Sequence, residues 1–193
     1  MAGPTIVHTD AIALGLAQVR VVASAANIAA PGLASTASDS IGSLATTKFM
    51  GEVEYWRHES GFPLLEDKII PLREKAALEC QFEEIKPFTL ALARGIDPTD
   101  GAYASATSGE IPLGNIASPE YVRMEAVYTF PNGTNTMNIV FPRAQVTAAM
   151  ELDLAKEDNA KPTLTFEAKV ADSNVSGGNA QWDGKPLGHI FFL

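Results

Sequence analysis

The chain has 193 residues, 46% hydrophobic and 19% charged, which gives room for one domain with a sizeable core but not comfortably for two. Fourteen Lys and Arg stand against 23 Asp and Glu, a formal charge of −9. That balance excludes gripping nucleic acid with clustered bases, though not enclosing it without adhesion. A lone Cys80 excludes an intrachain disulfide and a zinc site of paired cysteines, so cytosolic maturation is the default expectation.

Taken in chain order, the apolar stretch 11–30 is broken by Gln18, Arg20 and Asn27, and we expect neither an export signal nor a transmembrane helix there. Val19 and Val21 alternate within a strand expected over 18–24. Only Asp10, Arg20 and Asp39 carry charge before residue 48. Residues 29–47, AAPGLASTASDSIGSLATT, read as a long irregular connection that stays mobile until something else orders it.

Beyond Lys48 the dominant pattern is period two, the spacing that puts alternate side chains on opposite faces of a strand. A strand is expected around 50–58. In a second, over 76–84, Ala76, Leu78, Cys80 and Phe82 oppose Ala77, Glu79, Gln81 and Glu83. Helix 87–94 has Pro87 at its first position, an apolar face of Phe88, Leu90, Ala91 and Leu92, and Gly95 ready for the left-handed C′ position. Val122, Met124, Ala126, Tyr128 and Phe130 then form one apolar face, followed by the turn residues 131–135 and by Met137, Ile139 and Phe141, which is a β-hairpin. A further strand is expected over 144–153, then a turn at 156–159, then a strand over 164–170. The final residues, 189–193, read as a closing strand or docking arm. Many strands with one short helix predict a mostly β fold, a β-sandwich or partial barrel with a helix on its flank. We treat residues 1–193 as a single domain, with a low-charge portion 1–47 and a β core 48–193.

Catalytic chemistry finds no purchase. His8, His58 and His189 lie in no nucleophile or metal signature, and the His58-Glu59 pair lacks its zincin partner because Phe62 holds that position. The stretch 178–185 has the wrong spacing for a phosphate loop. Residues 97–101 read as a turn rather than a calcium loop. Glu79 and Glu83 lie about 13 Å apart along a strand at about 3.3 Å per residue, too far for a glycosidase pair. Cys80 reads as a buried small hydrophobe. No enzyme activity, cofactor or metal is expected.

Residues 51–95, GEVEYWRHESGFPLLEDKIIPLREKAALECQFEEIKPFTLALARG, resemble the tail tube (major tail) proteins of long-tailed bacteriophages, in which a strand, a long excursion, a second strand and a short helix follow one another in this way. The resemblance covers about a quarter of the chain. It implies a structural virion protein, with subunits assembled in the host cytoplasm into six-membered rings that stack as a hollow tail tube and conduct double-stranded DNA during ejection. It further implies contacts with other tail proteins such as the tape measure, tail tip and terminator, with no membrane partner. If six subunits gave four strands each, twenty-four strands at about 4.8 Å would close a barrel on the order of 37 Å across before tilt. Eight acids on the polar strand faces, Glu52, Glu54, Glu79, Glu83, Glu125, Glu151, Asp153 and Glu167, are candidates for lining that bore. Only Arg123 and Lys169 oppose them on those faces, and a wall of that sign repels phosphate.

The segment 57–73, with Phe62, Leu64, Leu65, Ile69 and Ile70, is a candidate arm to a neighbouring ring, with an internal hairpin as the equal alternative. Residues 29–47 are a second candidate. A β-sandwich decoration or host-surface binding module is the rival reading, hinted at by Trp182 in the loop 176–185.

Overall fold

The computed structural model describes residues 15, 17–60, 65–99, 101–103, 107–114, 118–147, 151–152 and 160–193. Among these residues seven strands form one antiparallel sheet: β1 (Gln18–Ala23), β2 (Leu44–Ser60), β3 (Leu65–Phe82), β4 (Val122–Thr129), β5 (Thr136–Val146), β6 (Thr163–Ala168) and β7 (His189–Phe192). Their order is β1-β4-β5-β6-β3-β2, and β7 pairs with β5 beyond the end of β6. Mostly β is therefore correct. The sheet also turns back on itself: Ile41 N–H donates to the Val19 carbonyl at 3.0 Å and Arg20 bridges Ser40, immediately before the chain enters β2. This link draws the two ends of the strand order together into a partial barrel.

Alternation sorts the side chains as the sequence requires. Val19 and Val21, Leu78, Cys80 and Phe82, Val122, Met124 and Ala126, Ile139 and Phe141, and Leu164 and Phe166 point inward and form one cluster with Ile41. Among the described residues two α-helices stand where one was expected, the single turn α1 (Ser24–Asn27) and α2 (Pro87–Ala93); α2 adds Leu92 and Ala93 to that cluster, with Phe88 packed against it. Thr89 Oγ accepts the Lys86 N–H at 3.0 Å and fixes the start of the helix, and Gly95 at φ +71° ends it. A second, smaller cluster of Val140, Ala171 and Trp182, with Ile28, Leu33 and Phe191 against it, lies on the opposite face of the sheet.

Several expectations change. The two strands expected at 137–141 and 144–153 are one strand, β5, carrying a register shift opposite Val122–Met124. Because of that irregularity both Phe141 and Ala144 face the core. The strand ends at Val146 rather than continuing to 153, and the turn expected at 156–159 lies outside the described residues. Nor is 29–47 an unanchored connection. Thr36 and Asp39 cap a 3-10 turn (Ala37–Asp39), residues 40 and 41 pair with β1, and residues 44–47 already belong to β2.

Candidate functional site

What holds the 24–35 stretch down is a pair of charges on β4. Arg123 and Glu125, two residues apart on one strand, share a face, and both are fully buried. Arg123 donates to the carbonyls of Asn27 at 2.8 Å, Ala30 at 3.0 Å and Gly32. Glu125 accepts from the backbone N–H of Ala34 at 2.8 Å and of Ser35 at 3.0 Å, from the Ser35 hydroxyl, and from Arg123 Nε at 2.5 Å. Burial alone would raise the Glu125 carboxyl, but the hydrogen bonds from Ser35, Ala34 and Arg123 outweigh it and hold the group below the ordinary carboxylate range. Backbone groups that would otherwise lack partners beneath this loop are thereby satisfied. Glu125 is thus removed from the solvated acids: its side chain faces a covering loop of its own chain.

The other candidate acids separate by position. Glu52, Glu54, Glu79 and Glu167 share the face of β2, β3 and β6 turned away from the core, while Glu83 lies one residue past β3, accepting from the Ser43 hydroxyl at 2.9 Å. Glu151 is exposed beyond the end of β5, and Asp153 lies outside the described residues. Counting along single strands found only two opposing bases, but the register across strands supplies more. Lys48 stands opposite Glu79, Lys75 opposite Glu52 and Arg73 opposite Glu54, with Lys169 Nζ 2.7 Å from Glu167. Lys169 and the Thr147 hydroxyl hold the Glu167 carboxyl below its usual range. Cross-strand neighbours of opposite sign attract, so this face is a charge-compensated ladder rather than a uniformly negative wall. The missing information was the β2–β3 pairing, which single-strand periodicity does not contain.

The most distinctive surface is the far part of the β2–β3 hairpin. β6 pairs with β3 only over Ala77–Gln81, whereas the β2–β3 ladder runs on from Gly51↔Ala76 to Ser60↔Leu65. Ten residues of β2, about 33 Å at about 3.3 Å each, therefore continue as a two-stranded ribbon with no third strand beside it among the described residues, and every one of them is exposed. Arg57 pairs with Glu66 at 2.8 Å and His58 Nδ1 with Asp67 at 2.6 Å across the ribbon. The bonds from His58 and Ser60 keep the Asp67 carboxyl below its ordinary range. Large apolar side chains stand in water on it: Val53, Tyr55, Trp56, Ile69 and Leu72, with Trp56 44% and Leu72 62% exposed. Of the candidate arm residues, Ile69 is exposed, Ile70 is half-buried opposite Trp56, and Leu65 opens β3; Phe62 and Leu64 lie outside the described residues. The apolar strength of β2 in this region, from Val53 to Trp56, was not anticipated, although the aromatic pair Tyr55-Trp56 in a polar setting was its visible signal.

Trp182 does not serve as a surface aromatic. It is fully buried, donates from Nε1 to the Ile28 carbonyl at 2.5 Å and lies beneath the Arg123 guanidinium. Cys80 is also fully buried, and burial, with the charge of Glu79, pushes its thiol up to about 12. Among the described residues no group of three or more His, Cys, Asp or Glu is placed to hold a metal ion, and no helix is long and apolar enough to cross a membrane.

No family model and no curated protein matches the chain. Among solved structures it is similar to a chain from the cryo-EM structure of an extracellular contractile injection system, a PVC sheath–tube complex in the extended state. The TM-score is 0.48 and the identity 11%, over 92% of this chain and 88% of that chain.

Proposed function

We propose that the chain is a self-assembling structural subunit of a phage-tail-like tube, forming stacked hexameric rings around a bore wide enough for double-stranded DNA, with no catalytic role. The observation that carries the reading is the projecting ribbon. Two strands alone are marginally stable in water, and a long unpaired edge bearing apolar side chains is a site of association unless it is covered. Nothing among the described residues covers it, whereas a neighbouring subunit would.

The same reading accounts for the outer face of β6, β3 and β2. A face on which Lys48, Arg73, Lys75 and Lys169 each stand by an acid offers phosphate no free basic cluster, and the chain's formal charge of −9 adds a repulsive field. DNA would slide along such a surface rather than bind it. In this reading the finished protein resides in the virion tail and touches tail tip, terminator and tape measure proteins. The rival decoration module loses its motive, since Trp182 is internal.

The test is electron microscopy of the concentrated pure protein in negative stain, paired with light scattering and with the emission of Trp56. Rings or tubes, with a blue shift as Trp56 leaves water, are the expected result. A monomer at every concentration, with the ribbon cleaved readily by protease throughout, would overturn the reading.

A further inference from the structure

Where the ribbon leaves the sheet, it parts from β7 and opens a cleft. On the outer face its walls are Met50, Ala77, Val170 and Leu187, enclosing about 430 Å³. On the core side Phe49, Ile139, Phe141 and Ile190 line a further 150 Å³. Glu74, Ala76 and Leu187 line both, so the two hollows adjoin at the same gap between β3 and β7.

Its rims are strand edges. Thr136 and Leu193 exchange both backbone hydrogen bonds at 2.9 Å. Antiparallel alternation from that pair turns the N–H and C=O of Phe191 and His189 toward β5 and those of Ile190 and Phe192 away from it, into the cleft. On the other rim Phe82 N–H donates to Pro162 on the β6 side, and the same alternation aims the backbone of Ala76 and Glu74 at the cleft. Phe49 and Ile190, which line the opening, remain exposed, and beyond Ile190 β7 runs on into Phe192 and Leu193, exposed at 66% and 69%. These four side chains offer on the order of 400 Å² of apolar surface, a size that marks interaction sites and about half of what one partner contributes to a stable interface.

We propose that this cleft is a strand-acceptor site for a second copy of the chain, which adds the free edge of its own β2 to the free edge of β7 and seats Val53 and Tyr55 among Phe49, Phe141 and Ile190. The occupant follows from the chain itself. Among the described residues β2 is the last strand of the order and has β3 as its only strand neighbour, so the described part of each copy carries a strand edge without a neighbour and a slot without a strand. One head-to-tail contact fills both and leaves one of each free, the condition for a ring or a filament. Main-chain pairing supplies affinity and the side-chain pockets supply register. The inference rests on the self-assembly reading and names the contact through which assembly proceeds.

Edge prolines test it without touching the subunit's own ladders. Ile190→Pro removes an N–H that points into the cleft, and Tyr55→Pro removes one from the outer edge of β2. Each variant alone should raise the concentration needed for assembly by about tenfold or more, as expected for one or two lost hydrogen bonds, with an unchanged circular dichroism spectrum and melt. Ile190→Val, which keeps the N–H, should assemble as wild type does. Mixed together, the two proline variants should give a 1:1 dimer that grows no further, because one intact donor still meets one intact acceptor. A photoreactive residue at Leu187, in a mixture of isotopically light and heavy protein, should cross-link to residues 51–57 of the other copy. Wild-type tubes together with tubes from both proline variants, or cross-links to any other segment, would overturn the acceptor site while leaving the tube reading intact. A wild-type protein that never assembles would overturn both.

Discussion

Replacing Glu125 by Gln keeps the shape of the side chain and removes its charge, which leaves the Arg123 guanidinium fully buried without a counter-ion. Breaking one side of a buried pair costs about 3–5 kcal/mol. At about 2–4 °C per kcal/mol for a chain of this length, the melting temperature should fall by about 6–20 °C. The loss has a local component as well, because Glu125 anchors Ala34 and Ser35. Residues 29–36 should become the first site of proteolysis. The double variant Arg123→Met/Glu125→Leu removes both charges together and should lose less than the single one, since it leaves no unpaired charge in the interior; the freed backbone groups at 27–34 are only partly buried and can turn to water, and the residual cost falls on buried Ser35, which loses its acceptor. Urea melts followed by circular dichroism, with limited proteolysis read by mass spectrometry, measure both components. A single variant within about 1 kcal/mol of wild type, or single and double variants of equal stability, would refute the view that the charge pair pins the loop.

Four further outcomes follow from the geometry. The folded Glu125 carboxyl is held below its unfolded value, so its contribution is present above about pH 4.3 and is lost as pH falls through the folded pKa. Acid titration should therefore destabilise wild type more steeply than Glu125→Gln, and parallel curves would contradict the assignment. Gly188→Ala should cost several kcal/mol in a thermal melt, because Gly188 has φ +120° and a Cβ there would sit 2.0 Å from the Val140 carbonyl oxygen; a cost below about 1 kcal/mol would mean that the turn into β7 is not as described. Cys80, buried with its thiol pushed up to about 12, should resist thiol reagents at pH 8 until the chain is unfolded in urea, and fast labelling of the native protein would place it elsewhere. Trp56→Ala should change monomer stability by no more than about 0.5 kcal/mol yet abolish assembly, and tubes of normal length from that variant would exclude Trp56 from the contact.

The sequence by itself determined whatever depends on neighbours along the chain. Alternation located β1, the β4–β5 hairpin and β6, and it assigned Leu78, Cys80 and Phe82 to the interior, because a strand's side chains take opposite faces whatever lies beside it; β7 showed only as an apolar run at 189–193, open to a closing strand or a docking arm. Pro87 and Gly95 likewise marked α2 through the local rules of helix ends.

Pairing across strands is not contained in that information, and only the tertiary structure decided what depends on it. Lys48, Arg73 and Lys75 become partners of Glu79, Glu54 and Glu52 only once β2 and β3 are in register, so a face that looked acidic strand by strand is nearly neutral. Arg123 and Glu125 occupy polar positions in a strand and would read as solvated there. Their burial comes from a loop almost a hundred residues earlier, whose own composition of small residues gave no sign of what it covers. The ribbon is the converse case: its apolar side chains would have signalled a core, and they lie in water because no third strand among the described residues reaches that far. Side-chain periodicity is a one-dimensional property, whereas burial and charge balance belong to the neighbours that folding brings alongside.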